Sequence, residues 1–189
     1  MDVEKIDRVN PIQTARKIVE SALLFQHNIE YVQRVRQLLA LASPEHKDYG
    51  LCVHTKIAAV YAFVSEKMLY IRDPRGIELH FSPENIMRRI LAGEVVMEDC
   101  DSYAGMCLAM LWALGVNARL VIAGYLPTTQ NGPRRYQHVF AQAFQPSVKN
   151  HLGIMLPARW VVVDPSLGNK TKEMNRRITV ARIFDPFSS

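Results

Sequence analysis

Apolar residues recur at helical spacing along the first part of the chain and gather into short β-branched runs along the last. In residues 11–25 (PIQTARKIVESALLF) Ile18, Ala22 and Leu23 line one face, and in 29–42 (IEYVQRVRQLLALA) Val32, Val35, Leu38 and Leu39 do the same. The stretch 43–50 (SPEHKDYG) breaks the pattern as a turn or linker. A third helix is expected over 54–68, with Ile57, Val60, Tyr61 and Val64 on one face. Residues 69–86 read as irregular chain with brief extended pieces, punctuated by Asp73-Pro74, Gly76 and Ser82-Pro83. Ser82-Pro83-Glu84 also starts a short helix that runs through Leu91 and stops near Gly93.

Downstream the pattern sharpens. Residues 100–114 (CDSYAGMCLAMLWAL) are apolar nearly all round, which marks a buried helix, and Gly115 ends it. Three runs, 118–125 (ARLVIAGY), 138–144 (HVFAQAF) and 159–164 (RWVVVD), are bounded by Pro, Gly, Asn or Asp and read as strands. A further stretch, 177–184 (RITVARIF), adds an edge strand. Helices followed by one buried helix and a run of strands predict an α+β fold with an antiparallel sheet. No internal repeat or low-complexity tract interrupts it.

Composition narrows the class. The 189 residues suit one domain, with residues 1–50 as an N-terminal helical extension and 51–189 as the main unit. The net charge of +5 and pI near 9.2 include the pairs Arg88-Arg89, Arg134-Arg135 and Arg176-Arg177. These form no basic stripe and no known nucleic-acid motif, so they read as solvated surface. Three cysteines without a spacing framework argue against a disulfide scaffold and suit a reducing compartment. The polar start MDVEKIDRVN shows no signal peptide, and no apolar run is long enough to span a bilayer. A cytoplasmic protein without membrane contact is expected.

Cys100 opens the buried helix, where converging N–H groups favour a thiolate and can bind an oxyanion. Helical spacing puts Cys100, Ala104, Cys107 and Leu111 on one stripe facing the sheet. His138 starts one strand and Asp164 ends the next, so antiparallel pairing makes them neighbours at one end of the sheet. A thiol beside an imidazole and its orienting carboxylate is the arrangement of nucleophilic catalysis. Asp99 or Asp101 caps the helix, and carboxylates beside a thiol oppose its ionisation. Taken singly, a helical Cys is more often core filler, the reading given to Cys107 and Cys52. His27, His46, His54, His80 and His151 are assigned to the surface. No close pair of ligand residues supports a metal site, and no cofactor is expected.

The segments EDCDSYAGMCLAMLWALGVNARLVIAGY, YQHVFAQAF and RWVVVDPSLG together resemble the Cys, His and Asp motifs of the transglutaminase-like superfamily, a papain-like fold. Cys100 precedes His138 by 38 positions and His138 precedes Asp164 by 26, and the resemblance spans about residues 55–168. The upstream piece VYAFVSEKMLYIRDPRGIELHFSPENIMRRIL resembles the version carried by bacteriophages and prophages. This resemblance implies Cys100 as nucleophile, His138 as general base and Asp164 as the residue orienting it. Two departures stand out. Met97-Glu98-Asp99-Cys100 replaces a glycine-rich turn, so that Glu98 would narrow or charge the entrance. No Trp or Gln upstream completes an oxyanion hole, which leaves Gln137 and Tyr70 as candidates.

The resemblance therefore implies a cysteine-dependent acyl-transfer enzyme that hydrolyses a peptide or isopeptide-type amide through a thioester on Cys100. Its partners would be a peptide or protein substrate and, in a phage setting, other virion or assembly proteins, with no nucleic acid and no membrane. The alternative is a catalytically silent phage structural or assembly protein that keeps the fold as a binding module. Either would reside in the cytoplasm, that of the host if phage-encoded, or in a virion.

Overall fold

A computed structural model describes residues 4–5, 10–42, 53–73, 79–125, 136–149, 153–170 and 178–187. In chain order the elements are β1 (Glu4–Lys5), α1 (Pro11–His27), α2 (Ile29–Ala42), α3 (Val53–Lys67), β2 (Met68–Tyr70) and β3 (Leu79–His80). There follow α4 (Pro83–Leu91), β4 (Val96–Glu98), α5 (Cys100–Ala113), β5 (Ala118–Tyr125) and β6 (His138–Gln145). The chain continues through β7 (Val148–Lys149), β8 (Met155–Leu156), β9 (Arg159–Val163), a 3-10 turn at Pro165–Lys170, and β10 (Ile178–Phe184). The linker expected at 43–50 lies outside the described residues.

Local chemistry sets the helix ends. Asn10 caps α1 by accepting from the Ile12 and Gln13 amides at 3.1 and 3.4 Å, with Pro11 in the first position. Asn28 closes α1 and starts α2, its Oδ1 accepting from the Glu30 amide at 3.1 Å. Ser82 caps α4 through the Asn85 amide at 3.3 Å, again followed by Pro. Past α5, Gly115 takes φ +69°, a left-handed conformation that a side chain would strain.

Four strands form the main sheet in the order β10-β5-β6-β9, antiparallel throughout, so 178–184 is the edge strand the sequence predicts. β5 and β6 pair from Ala118–Ala143 to Ala123–His138, while β6 and β9 pair from Gln145–Arg159 to Ala141–Val163. One element was not legible in the sequence: β2 and β4 run parallel, with Leu69 opposite Met97 and Tyr70 opposite Glu98.

Helix α5 is the hub. Every residue from Asp101 to Ala113 is buried, as a helix apolar on all sides requires. It packs against α1, α2, α3 and α4 as well as β5 and β6. Ile18, Ala22 and Phe25 of α1 join Met106, Leu108, Met110, Leu111, Leu120 and Val139 in one core, so the N-terminal helices share the core of the sheet rather than hanging from it. α1 and His80 pack over Gly105, where a Cβ would stand at ordinary contact, 3.4 Å from Ile18 and 3.6 Å from His80. At the other end, Arg36 donates to the Ala113 carbonyl at 3.3 Å and Lys56 to the Leu114 carbonyl at 2.9 Å. Two cations thus meet the negative end of the helix dipole.

Candidate active site

The three residues singled out in the sequence come from the ends of three packed elements. β4 runs through Glu98 and Asp99 into Cys100, the first residue of α5. Asp99 caps that helix, its Oδ1 accepting from the Asp101 amide at 3.1 Å. His138 starts β6 and is 9% exposed; Asp164 directly follows β9 and is 3% exposed. Val163 pairs with Ala141, so Asp164 lies one step beyond the ladder and reaches His138 on the diagonal. The contact is short, with His138 Nε2 2.7 Å from Asp164 Oδ2. Ser166 donates to the other carboxylate oxygen at 2.6 Å. Asp164 is therefore gripped from both sides.

Cys100 lies against the start of β6. The backbone N–H of Val139, the amide that follows His138, hydrogen-bonds its sulfur. The thiol also donates toward Asp101 Oδ1 at 3.7 Å. Burial, then Asp101 and Asp99, push the thiol well above its ordinary titration range, and the Val139 amide opposes them. Desolvation and the two adjacent carboxylates work against the thiolate that the helix terminus is expected to favour.

Glu98 behaves differently from its sequence reading. It is 4% exposed, pairs with Arg89 at 2.9 Å and accepts from the Ser102 hydroxyl at 3.1 Å. Its charge is spent inside the fold, not at an entrance, and burial raises its pKa despite both partners. The carboxylates acting on the thiol are Asp101, Asp99 and, less strongly, Asp164. Asp99, Cys100 and Asp101 bring ligand-type atoms within 4.8 Å of one another. One Asp99 oxygen is already committed to the cap.

Tyr70 comes to the site from β2. Its ring meets that of Tyr103 edge-on at 6.1 Å, and its hydroxyl is hydrogen-bonded by Arg72. Burial raises its pKa first, with the nearby charges of Cys100 and Asp99 adding to the effect. Tyr103 is buried, donates to the Met68 carbonyl at 2.6 Å and is pushed up to about 12, chiefly by desolvation. Gln137 is exposed, and its backbone amide pairs with the Ala123 carbonyl at 2.8 Å.

The remaining candidates sort by burial. Cys107 is fully buried among the apolar residues of α5, as a core thiol should be; Cys52, His46 and His151 lie outside the described residues. His27 and His54 are exposed, and His54 contacts the Gln145 amide at 2.8 Å. His80 corrects its surface assignment: it is 4% exposed, beside Gly105, with Nε2 3.3 Å from Ser21 Oγ. Sequence reasoning missed Ser166, Arg72 and Arg89. The Asp-Pro-Ser run was the one available signal, since a Ser two residues after an Asp readily folds back on it. A groove between α1 and β10, lined by Arg16, Glu20, Arg182 and Asp185 among others, includes none of the three site residues. Among the described residues no helix is long and apolar enough to cross a membrane.

A family model described as Transglutaminase-like superfamily matches residues 40–165, more than half of the chain. No curated protein matches. Among solved structures, a protein from Cytophaga hutchinsonii provisionally named a cysteine protease is 19% identical, with TM-score 0.43, covering 87% of this chain and 51% of that one. A provisionally named protease from Parabacteroides distasonis is 11% identical, with TM-score 0.46, covering 83% of this chain and 28% of that one. The chain thus spans about half the length of the first and just over a quarter of the second.

Proposed function

This chain belongs to the transglutaminase-like superfamily, and we propose that it is a cysteine-dependent acyl-transfer enzyme hydrolysing a peptide or isopeptide-type amide. The observation that carries this reading is the 2.7 Å His138–Asp164 contact beside the amide that touches the Cys100 thiol. Asp164 holds His138 through Nε2, and Nδ1 takes the proton from Cys100. The sulfur then attacks the substrate carbonyl, and the backbone N–H of Cys100 supports the oxyanion at the helix terminus. His138 returns the proton to the leaving amine, which leaves a thioester. Water, activated by the same imidazole, releases the acid.

A silent binding module is the second reading, favoured by the two carboxylates that oppose the thiolate. The phage or virion setting rests on the resemblance of residues 60–91. Exposure to p-nitrophenyl acetate separates the two readings. An enzyme acquires an acetyl group on Cys100 and turns it over, and His138→Ala abolishes both. A chain whose Cys100 is never acetylated while its fold is intact is a module.

A further inference from the structure

The charge of this chain is unevenly placed. Between Asp101 and Asp164 the sequence holds no Asp or Glu, against Arg119, Arg134, Arg135, Lys149 and Arg159. The basic residues outside this stretch equal the 18 acidic ones in number, so the whole net charge of +5 lies within it. The fold then draws cations to one pole, the end of the main sheet away from His138. There β6 ends at Gln145 and β9 begins at its pairing partner Arg159, which donates to the Gln145 side chain at 3.1 Å. Arg119 lies over the Trp160 ring at 3.8 Å. The Phe144 amide reaches the Asn117 carbonyl at 2.8 Å, which brings the end of α5, with Arg36 and Lys56 on its carbonyls, to the same pole. Burial lowers the Arg119 pKa and the charge of Asp185 opposes it, so that carboxylate offsets one of these cations.

The β7–β8 hairpin springs from this pole. Its two strands pair with each other and stand outside the main sheet. Every described residue from Pro146 to Arg159 is exposed, with Val148, Ile154, Met155 and Leu156 between 41% and 59%. Val148 pairs with Leu156 and Lys149 with Met155, and adjacent residues of a strand point to opposite faces. Both faces of the ribbon are thus apolar and open to solvent, where two strands alone have little stability.

We propose that this hairpin seats the protein on an anionic lipid bilayer, with Ile154, Met155 and Leu156 entering the headgroup boundary and Lys149 and Arg159 meeting lipid phosphates. Aliphatic side chains beside cations suit that boundary, since the apolar groups leave water while the charged heads stay in it. A second copy fits less well. It would bring two cationic poles together, and four side chains fall short of the roughly 800 Å² per partner that a stable interface buries. Nucleic acid would match the cations and leave the aliphatic groups in water. The sequence expectation of no membrane contact rests on the lack of a spanning run, which a surface contact does not require. From Gln145 back to His138 along β6 is roughly 23 Å, so Cys100 remains in water above the bilayer.

Co-sedimentation of the full chain with lipid vesicles tests the assignment without calling on the acyl-transfer chemistry. Phosphatidylcholine vesicles with about a quarter phosphatidylglycerol should bind the parent protein at least roughly tenfold more tightly than pure phosphatidylcholine. Met155→Ser combined with Leu156→Ser, both at exposed positions, should weaken that binding roughly 10- to 100-fold. Lys149→Gln should weaken it roughly fivefold, and thermal melting checks that each variant keeps the fold. Anionic vesicles that leave the parent in solution overturn the proposal. So does a double serine variant that binds like the parent, which would reduce the contact to charge alone. A parent dimer in light scattering that the double variant dissolves would give the hairpin to a second copy instead. Single-stranded RNA that binds parent and double variant alike, and more tightly than the vesicles do, would overturn it as a nucleic-acid surface.

Discussion

His138 turns Nε2, not Nδ1, toward Asp164, at 2.7 Å from Oδ2. A carboxylate there fixes the tautomer with the proton on Nε2, so the nitrogen that can serve a thiol is Nδ1. The second carboxylate oxygen is held by Ser166 at 2.6 Å, which stops the group from rotating away.

Asp164→Asn keeps the shape and removes the charge that supports an imidazolium. Turnover should fall by roughly 100- to 10,000-fold with the melting temperature little changed. Ser166→Ala should cost far less rate, since it loosens one oxygen only. Steady-state ester turnover ranks the set, and an Asp164→Asn protein with full activity would remove Asp164 from the mechanism.

Cys100 titrates above its ordinary range, so its alkylation should be slow at neutral pH and climb as pH rises through the alkaline region. Asp101→Asn deletes the nearest carboxylate in that balance. It should shift the pH-rate curve to lower pH and speed labelling at pH 7, less so in high salt. Cys107, fully buried, should label only on unfolding. The same shift acts on stability. A thiol pKa raised by folding contributes fully below the unfolded value, about 8.5, and that contribution is lost as pH rises toward the folded one.

Glu98 and Arg89 should affect folding and leave the thiol alone. Glu98→Gln should destabilise by about 1–3 kcal/mol without moving the Cys100 pH-rate curve. Arg89→Ala, which leaves a 4%-exposed carboxylate without its cation, should cost about 3–5 kcal/mol. Chemical denaturation measures both. A clear shift of the Cys100 curve in Glu98→Gln would return Glu98 to the site entrance.

Gly105 distinguishes contact from clash. A single methyl meets Ile18 at 3.4 Å and His80 at 3.6 Å, so Gly105→Ala should be tolerated, helped by up to about 1 kcal/mol of helix propensity. Gly105→Val pushes further carbons into α1 and should cost about 1–3 kcal/mol. Paired melting curves decide it.

Most of the architecture was legible because it is written in local periodicity. The all-round apolar run of α5 and the β-branched runs of β5, β6 and β9 could hardly be placed elsewhere. His138 and Asp164 were found through antiparallel pairing, which needs only the ends of two strands. What escaped depends on contacts between weak segments. Met68–Tyr70 and Val96–Glu98 are three residues each, too short to announce that they pair. The burial of Glu98 was hidden for the same reason, since its neutralising partner sits nine positions back on α4 and is aimed by tertiary packing alone. His80 looked like a turn residue, and only the docking of α1 over Gly105 closes it in.

The contact between α1 and α5 also has a bearing on synthesis. On a ribosome adding residues one by one, Ala15, Ile18, Ala22 and Phe25 emerge long before the helix they cover exists. At ordinary elongation rates that wait lasts roughly 5–15 s, during which a greasy stripe stands open to chaperones and to other nascent chains. A fragment reduced to residues 40–165, the stretch that matches the family, would reverse the difficulty and leave the nucleophile's helix bare where Ile18 belongs. The order of emergence makes α1, though made well before α5, wait for α5 before it finds its place.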